Sequence, residues 1–298
     1  MNDLKFAFRQ LLKNPGFTAV AVLAFALGLS ASTASAHPGV GIVRDSRGNV
    51  FFTDLAQVWG LVPDGTRSVA VSNVHTHELC LDARDNLFGE HLWYDGTTRK
   101  WGHYVWRRSP DGRVEQVIPP SHGFLANYSF VRDATGAMYW ADRETTGGPA
   151  IRKRSPDGRV TTLLQSKSLH DIGFMTCSPN GTVYLIDRSD LICASADGQL
   201  RVLAGRLSGD RFKFRQRHKV QGLSADDAGN VWVAVSERRV VKKVSKDGAV
   251  TVVAQLPTPF RPNGVLATPD GHLWILEDSL PNRARVRHIA PDGSERVY

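Results

Sequence analysis

The segment GLSADDAGNVWVAV, residues 222–235, decides the fold. A short apolar strand enters, a turn ending in Gly229 reverses the chain, and a second strand of aromatic and β-branched residues, VWVAV, follows. Five further copies flank it: GIVRDSRGNVFFTD (41–54), LCLDARDNLFGEH (79–91), SFVRDATGAMYWAD (129–142), FMTCSPNGTVYLID (174–187) and GVLATPDGHLWILE (264–277). The turn positions are Gly48, Asp85, Gly136, Gly181, Gly229 and Gly271. A second turn follows each copy: PDG at 63–65, 110–112, 156–158 and 291–293, ADG at 196–198, and KDG at 246–248. Asp-Gly and Asn-Gly supply the positive φ that tight hairpins require.

Each unit therefore holds two hairpins, or four strands. The 262 residues after Ala36 divide into six units of about 44, the length of a propeller blade. One such sheet cannot bury both its faces; six around an axis bury them all. The reading is an all-β, six-bladed β-propeller with four antiparallel strands per blade. A β-sandwich or open solenoid is the alternative. Blade one starts with its own inner strand and Ser294–Tyr298 can supply the outer strand of blade six, so closure by face packing is expected, with no strand exchanged.

Residues 1–36 read as a signal peptide or an N-terminal membrane anchor, and 37–298 as the propeller. A basic opening precedes the apolar run Thr18–Leu29, and Ala34-Ser35-Ala36 fits a cleavage site. Twelve apolar residues are few for a membrane span. Either reading puts the propeller outside the cytoplasm, in the periplasm, secreted or anchored to the membrane by the leader. The net charge is +8, but no nucleic-acid motif accompanies it, so no nucleic-acid partner is expected. Cys80, Cys177 and Cys193 are odd in number and widely spaced, and read as free thiols in strands.

The stretch LAGRLSGDRFKFRQRHKVQGLSADDAGNVWVAV (203–235) resembles NHL-repeat propellers, and RPNGVLATPDGHLWILED (261–278) is similar to gluconolactonase- and regucalcin-like propellers. The resemblance spans roughly residues 40–298. Separately, the leader resembles the start of macrolide-exporter-type permeases, but only to about Gly28. The lactonase resemblance implies a divalent cation at the channel mouth, held by one Glu, two Asn and one Asp at the starts of innermost strands. Eight residues before each first turn stand Val40, His77, Tyr128, Gly173, Gln221 and Asn263. Only Asn263 matches those ligand types, which weakens the lactonase reading.

The loops entering the inner strands and those leaving the second strands share one face. That face gathers His75, His77, Glu78, His170, Asp171, His218 and Asn263, with Asp54, Glu90, His91, Asp142, Asp187, Glu277 and Asp278. The chain also resembles peptide-amidating lyases, six-bladed propellers with three histidines on zinc; His77, His170 and His218 are the metal candidates by that resemblance. The cofactor would be one divalent cation, zinc or calcium, or none. The ligand-binding candidates are His75, Trp93, Tyr94, Trp101, Tyr128, Asp171, Gln221 and Asn263. The bland alternative is that the acids close their blades by accepting loop hydrogen bonds and the histidines are solvated loop residues. No HExxH, GxSxG, GxGxxG or P-loop is present, and no catalytic residue is assigned.

Two insertions stand out. Leu92–Gly102 lengthens a loop of blade two and carries Trp93, Tyr94 and Trp101, either for stacking on a ligand or as a self-packed flap. Arg206–Lys219 holds six basic residues against Asp210, either an anion-binding arm or a solvated connector. The function expected is binding of a small molecule, glycan or protein on the channel face; the alternative is a metal-dependent hydrolase or lyase on that face. N-terminal sequencing of exported protein should begin at His37; an intact Met1 on membranes would refute the cleaved form.

Overall fold

The structure, a computed structural model, describes residues 39–298 except 126, 144, 196, 210–218 and 280–282. The leader, His37 and His218 thus lie outside the described residues. No helix among the described residues is long and apolar enough to cross a membrane.

Blade one runs outward as β1 (Ile42–Arg44), β2 (Val50–Thr53), β3 (Val58–Leu61) and β4 (Arg67–Val71). Blade two is β5 (Leu79–Leu81), β6 (Leu87–Asp95), β7 (Lys100–Arg108) and β8 (Val114–His122). Blade three has β9 (Met138–Asp142), β10 (Ala150–Arg154) and β11 (Val160–Gln165). Blade four is β12 (Ile172–Cys177), β13 (Val183–Asp187), β14 (Asp190–Ala194) and β15 (Leu200–Ala204). Blade five is β16 (Leu223–Ala225), β17 (Val231–Val235), β18 (Val240–Val244) and β19 (Val250–Gln255). Blade six is β20 (Arg261–Ala267), β21 (Leu273–Ser279), β22 (Arg283–Ile289) and β23 (Glu295–Val297). The chain is a six-bladed β-propeller of antiparallel blades.

The two sets of turns explain the count. All eleven glycines at the twelve turn positions have positive φ, and Asp85, the one other residue there, has φ 59°. Asp85 also ties blades together, accepting from the backbone N–H of Ser46 at 3.0 Å and its hydroxyl at 2.5 Å.

Blade three departs from four full strands. Its inner segment is reduced to one bridge, Arg132 to Met138, and a bond from the Tyr139 N–H to the Val131 carbonyl. Arg132 turns to the Tyr128 hydroxyl, 2.7 Å away, and lies over the Tyr128 and Phe88 rings. Side chains, rather than a ladder, hold this segment.

Six hydrophobic clusters among the described residues fill the six seams between blades. The first and last blades meet through Ile42, Val50, Phe52 and Leu61 against Trp274, Leu276 and Val286. Strand β1 pairs with β2, and β23 pairs with β22, so no strand is exchanged among the described residues. At the axis the inner strands approach so closely that glycine is required. A Cβ on Gly264 would lie 2.4 Å from the Val40 carbonyl oxygen, which is backbone and cannot swing away. Gly264→Ala should therefore cost ~1–3 kcal/mol in urea unfolding, as overpacking does; unchanged stability would refute this account of closure.

Candidate active or binding site at the channel mouth

The six inner segments line a central channel of about 440 Å³, which includes Glu78, Cys80, Arg132, Asp133 and Cys177. Burial pushes the Cys80 and Cys177 thiols up to about 12, so neither is a nucleophile at neutral pH.

Blade two dominates the mouth. The Leu92–Gly102 insertion is not a loop but a continuation of β6 and β7, paired from Leu92–His103 to Asp95–Lys100. Alternating aromatic residues suit a pleated strand and extend the ladder. The hairpin stands as a wall above the entering loops, where the Leu92 N–H donates to the His75 carbonyl at 3.0 Å. Its two faces differ. His91, Trp93 and Tyr104 cluster on one face, with centroids 4.8–6.1 Å apart. Trp93 also lies on Gly102, where a Cβ would meet its ring at 2.3 Å. The other face carries Tyr94 and Trp101, with Phe124 beside them; all three are exposed. Trp93 is thus a packing residue, while Tyr94 and Trp101 are available to a ligand.

The histidines form a local network. His75 places Nδ1 2.9 Å from the Leu55 carbonyl and Nε2 3.0 Å from Nε2 of His77, and its backbone N–H donates to His91 Nδ1 at 2.9 Å. Burial, and then the nearby His75, push His91 below the usual imidazole range. His170 belongs elsewhere, paired with Asp187 at 3.3 Å. Asp187 also accepts from the backbone N–H groups of His170 and Asp171, fixing the loop that enters blade four. Among the described residues no three His, Cys, Asp or Glu side chains gather to hold a metal ion. The structure therefore leaves His77 and His170 in separate pairs, and His218 lies outside the described residues.

The other acids divide in the same way. Asp54 accepts from the Ala56 and Gln57 N–H groups and from the Trp59 indole, and Asp142 from Arg152. Glu277 is fully buried between Arg285 at 2.6 Å and Arg287 at 2.5 Å. These carboxylates stabilise their blades. At the cation-ring positions, Gln221 and Asn263 are buried. The Asn263 amide bonds to Asp278, while its Oδ1 accepts nothing. That carbonyl would suit a cation, but Val40, His77, Tyr128, Gly173 and Gln221 supply neither Glu nor Asp. The described ring does not match the Glu, Asn, Asn, Asp set.

One pair of acids has no such structural role. Leu79 packs toward blade one and Cys80 toward blade three, so Glu78, alternating with Leu79, turns with Cys80 toward blade three. Glu90 shares that face with Phe88. The Glu90 Oε1 is buried and accepts no hydrogen bond. Burial, and then the neighbouring Glu78 charge, push Glu90 up to about 7. Burial also raises Glu78, and the Arg143 charge offsets part of that. Tyr128, half-buried below, is held by Arg132. Of the sequence candidates, then, Tyr94 and its partner Trp101 extend the blade-two face that carries Glu90, and Tyr128 packs in the same seam with Phe88; His75 and His77 sit on the blade-one side. Asp171 belongs to the loop entering blade four, and Gln221 and Asn263 start the inner strands of blades five and six. In the sequence Glu78 and Glu90 are two acids among many, and the unpartnered Glu90 oxygen is a tertiary fact. In the basic insertion, Lys219 pairs with Glu237 at 2.7 Å and the Arg206 N–H bonds to Asp190 at 2.7 Å. Arg211, Lys213, Arg215 and Arg217 lie outside the described residues.

An unfolded glutamate ionises near 4.5, whereas Glu90 in the fold ionises near 7. Between those values the folded state keeps a proton that the unfolded chain has lost, so stability falls as pH rises through the window. Below it, the full contribution is present. Glu90→Gln should match wild type at pH 4 and exceed it by ~1–3 kcal/mol at pH 8. Urea unfolding at both pH values checks this; parallel profiles would refute the environment described for Glu90.

No family model matches the chain, and no curated protein matches it by sequence. Solved structures do share its fold. A calcium-binding regucalcin from Agrobacterium tumefaciens aligns with TM-score 0.52 and 17% identity, over 80% of this chain and 82% of that one. A gluconolactonase from Xanthomonas campestris aligns with TM-score 0.52 and 16% identity, over 80% and 84%. A catalytically inactive variant of virginiamycin B lyase from Staphylococcus aureus, solved with quinupristin, gives TM-score 0.51 and 12% identity, over 90% and 86%. The fold of this chain is that of the gluconolactonase- and regucalcin-like six-bladed propellers.

Proposed function

We propose that the protein is exported and binds a hydroxyl-rich small molecule or glycan at the channel mouth, above the seam between blades two and three. The observation that carries this is the Glu78–Glu90 pair, with one buried, unpartnered carboxylate oxygen, on the blade-two face that also carries exposed Tyr94 and Trp101. A carboxyl group near its ionisation point both donates and accepts hydrogen bonds, as sugar hydroxyls demand. Aromatic faces stack on the apolar side of a sugar ring. Isothermal titration against mono- and oligosaccharides should find a ligand whose affinity falls about tenfold or more in Glu78→Gln and Trp101→Ala. A ligand indifferent to both substitutions would refute this location.

The second reading is an enzyme, and Glu90 favours it: a carboxyl group ionising near 7 suits general acid–base chemistry in a hydrolase or lyase. In the metal-dependent form of this reading, His77 and His170 would help hold one zinc or calcium ion. Elemental analysis of purified protein tests that form. Stoichiometric metal lost in His77→Ala and His170→Ala would support it, and metal retained in both variants would remove these residues as ligands.

A further inference from the structure

On the opposite face, where both sets of turns lie, the seam between blades six and one opens into a second pocket of about 420 Å³. Arg44, Arg47 and Arg296 line it, with His272, His288 and Trp274. No Asp or Glu side chain lines it among the described residues, and the terminal Tyr298 accepts from the Val286 N–H at 3.2 Å. The nearest acids are already engaged. Asp270 lies 2.7 Å from the Arg44 guanidinium, accepts from the Thr268 hydroxyl, and stands 4.0 Å from His272. Asp45 accepts from its own turn at Arg47 and Asn49, and its outer oxygen is 3.5 Å from Arg47.

Two donors are left over. The Trp274 side chain is 8% exposed and its indole N–H is buried with no acceptor. The Arg44 Nε–H is likewise buried and donates to nothing. Buried donors without acceptors cost roughly 1–3 kcal/mol each, and here both line one pocket with three guanidinium groups. Trp274 is held in place by His288, stacked 4.0 Å away, and His288 by His272 at 2.7 Å. The indole thus cannot turn to find a partner elsewhere.

We propose that this seam pocket is a binding site for a small molecule carrying an oxyanion, a phosphate or carboxylate group. Its oxygens accept from Arg44 Nε and Trp274 Nε1, and Arg47 and Arg296 balance the charge. The volume exceeds that of a bare ion and lies within the range of small-molecule sites. Because the pocket spans the closure seam, its ligand joins the first blade to the last and stabilises the ring.

Isothermal titration of the full propeller with inorganic phosphate and with glucose 6-phosphate tests this, with glucose as the uncharged control. Both phosphates should bind saturably and raise the melting temperature; glucose should not compete with them. Arg47→Glu and Arg296→Glu, at exposed positions, should each weaken binding about tenfold or more while melting as wild type in chloride. Trp274→Phe should weaken binding by removing one N–H and keeping the ring. Glu78→Gln, at the other mouth, should leave the affinity for inorganic phosphate unchanged, which separates this site from the channel site. Sedimentation with phosphatidic acid vesicles, with and without glucose 6-phosphate, tells a membrane-displayed phosphate from a soluble one; capture by either supports the oxyanion site. No saturable binding of either phosphate and no capture by vesicles, or binding untouched by both charge reversals, would overturn the proposal.

Discussion

A blade is a sheet with two apolar faces, and nothing but its neighbours can cover them. Every other feature of this molecule depends on that constraint being met six times around a closed ring. At most seams it is met generously: between blades four and five, Leu191, Leu207, Val231, Val233 and Val235 belong to one buried cluster. Closure between blades six and one uses the same means, with Trp274 and Leu276 against Val50 and Phe52. No shared strand is needed, because apolar area and the close glycine contact at Gly264 hold the ends together.

The seam between blades two and three is the exception. Its buried core is only Cys80, Val105 and Phe130, and blade three brings only a bridge where an inner strand would stand. Into this thin seam the chain places Glu78 and Glu90. Packing and recognition compete here, since a seam filled with leucine leaves no room for a polar cleft. The neighbouring blade-one side compensates. Thr76 is fully buried and donates to the Glu90 carbonyl at 2.6 Å, while Thr53 donates to the Thr76 carbonyl at 2.7 Å and the Trp106 indole to the Thr76 hydroxyl at 3.2 Å. Blade two is thus anchored by hydrogen bonds and packing on one flank and by a smaller cluster on the other.

The blades were legible in the chain because turn chemistry is local. Gly48 and Gly65 have positive φ in their tight turns, and the continuous apolar runs at 50–52 and 231–235 follow from a sheet buried on both faces by its neighbours. The leader reading rested on residues outside the described structure. The Leu92–Gly102 stretch was legible as an aromatic insertion but not as strand, since its ladder depends on cross-strand partners at Lys100–His103.

The site was less legible, for a physical reason. Asp54, Asp187, Glu277, Glu78 and Glu90 look alike as letters near strand ends. Three of them meet donors, from their own turn, from the entering loop or from two arginines, and so become structural. Glu90 keeps an unpartnered oxygen and rises toward neutrality because burial and Glu78 reach it first. By itself, then, the sequence determined the blade count, the strand order, the absence of strand exchange among the described residues and which loops share a face, since these follow from local turns and periodicity. Only the tertiary structure decided which acids are spent on the scaffold and which remain for chemistry, because desolvation and partner geometry arise from residues far apart in the chain.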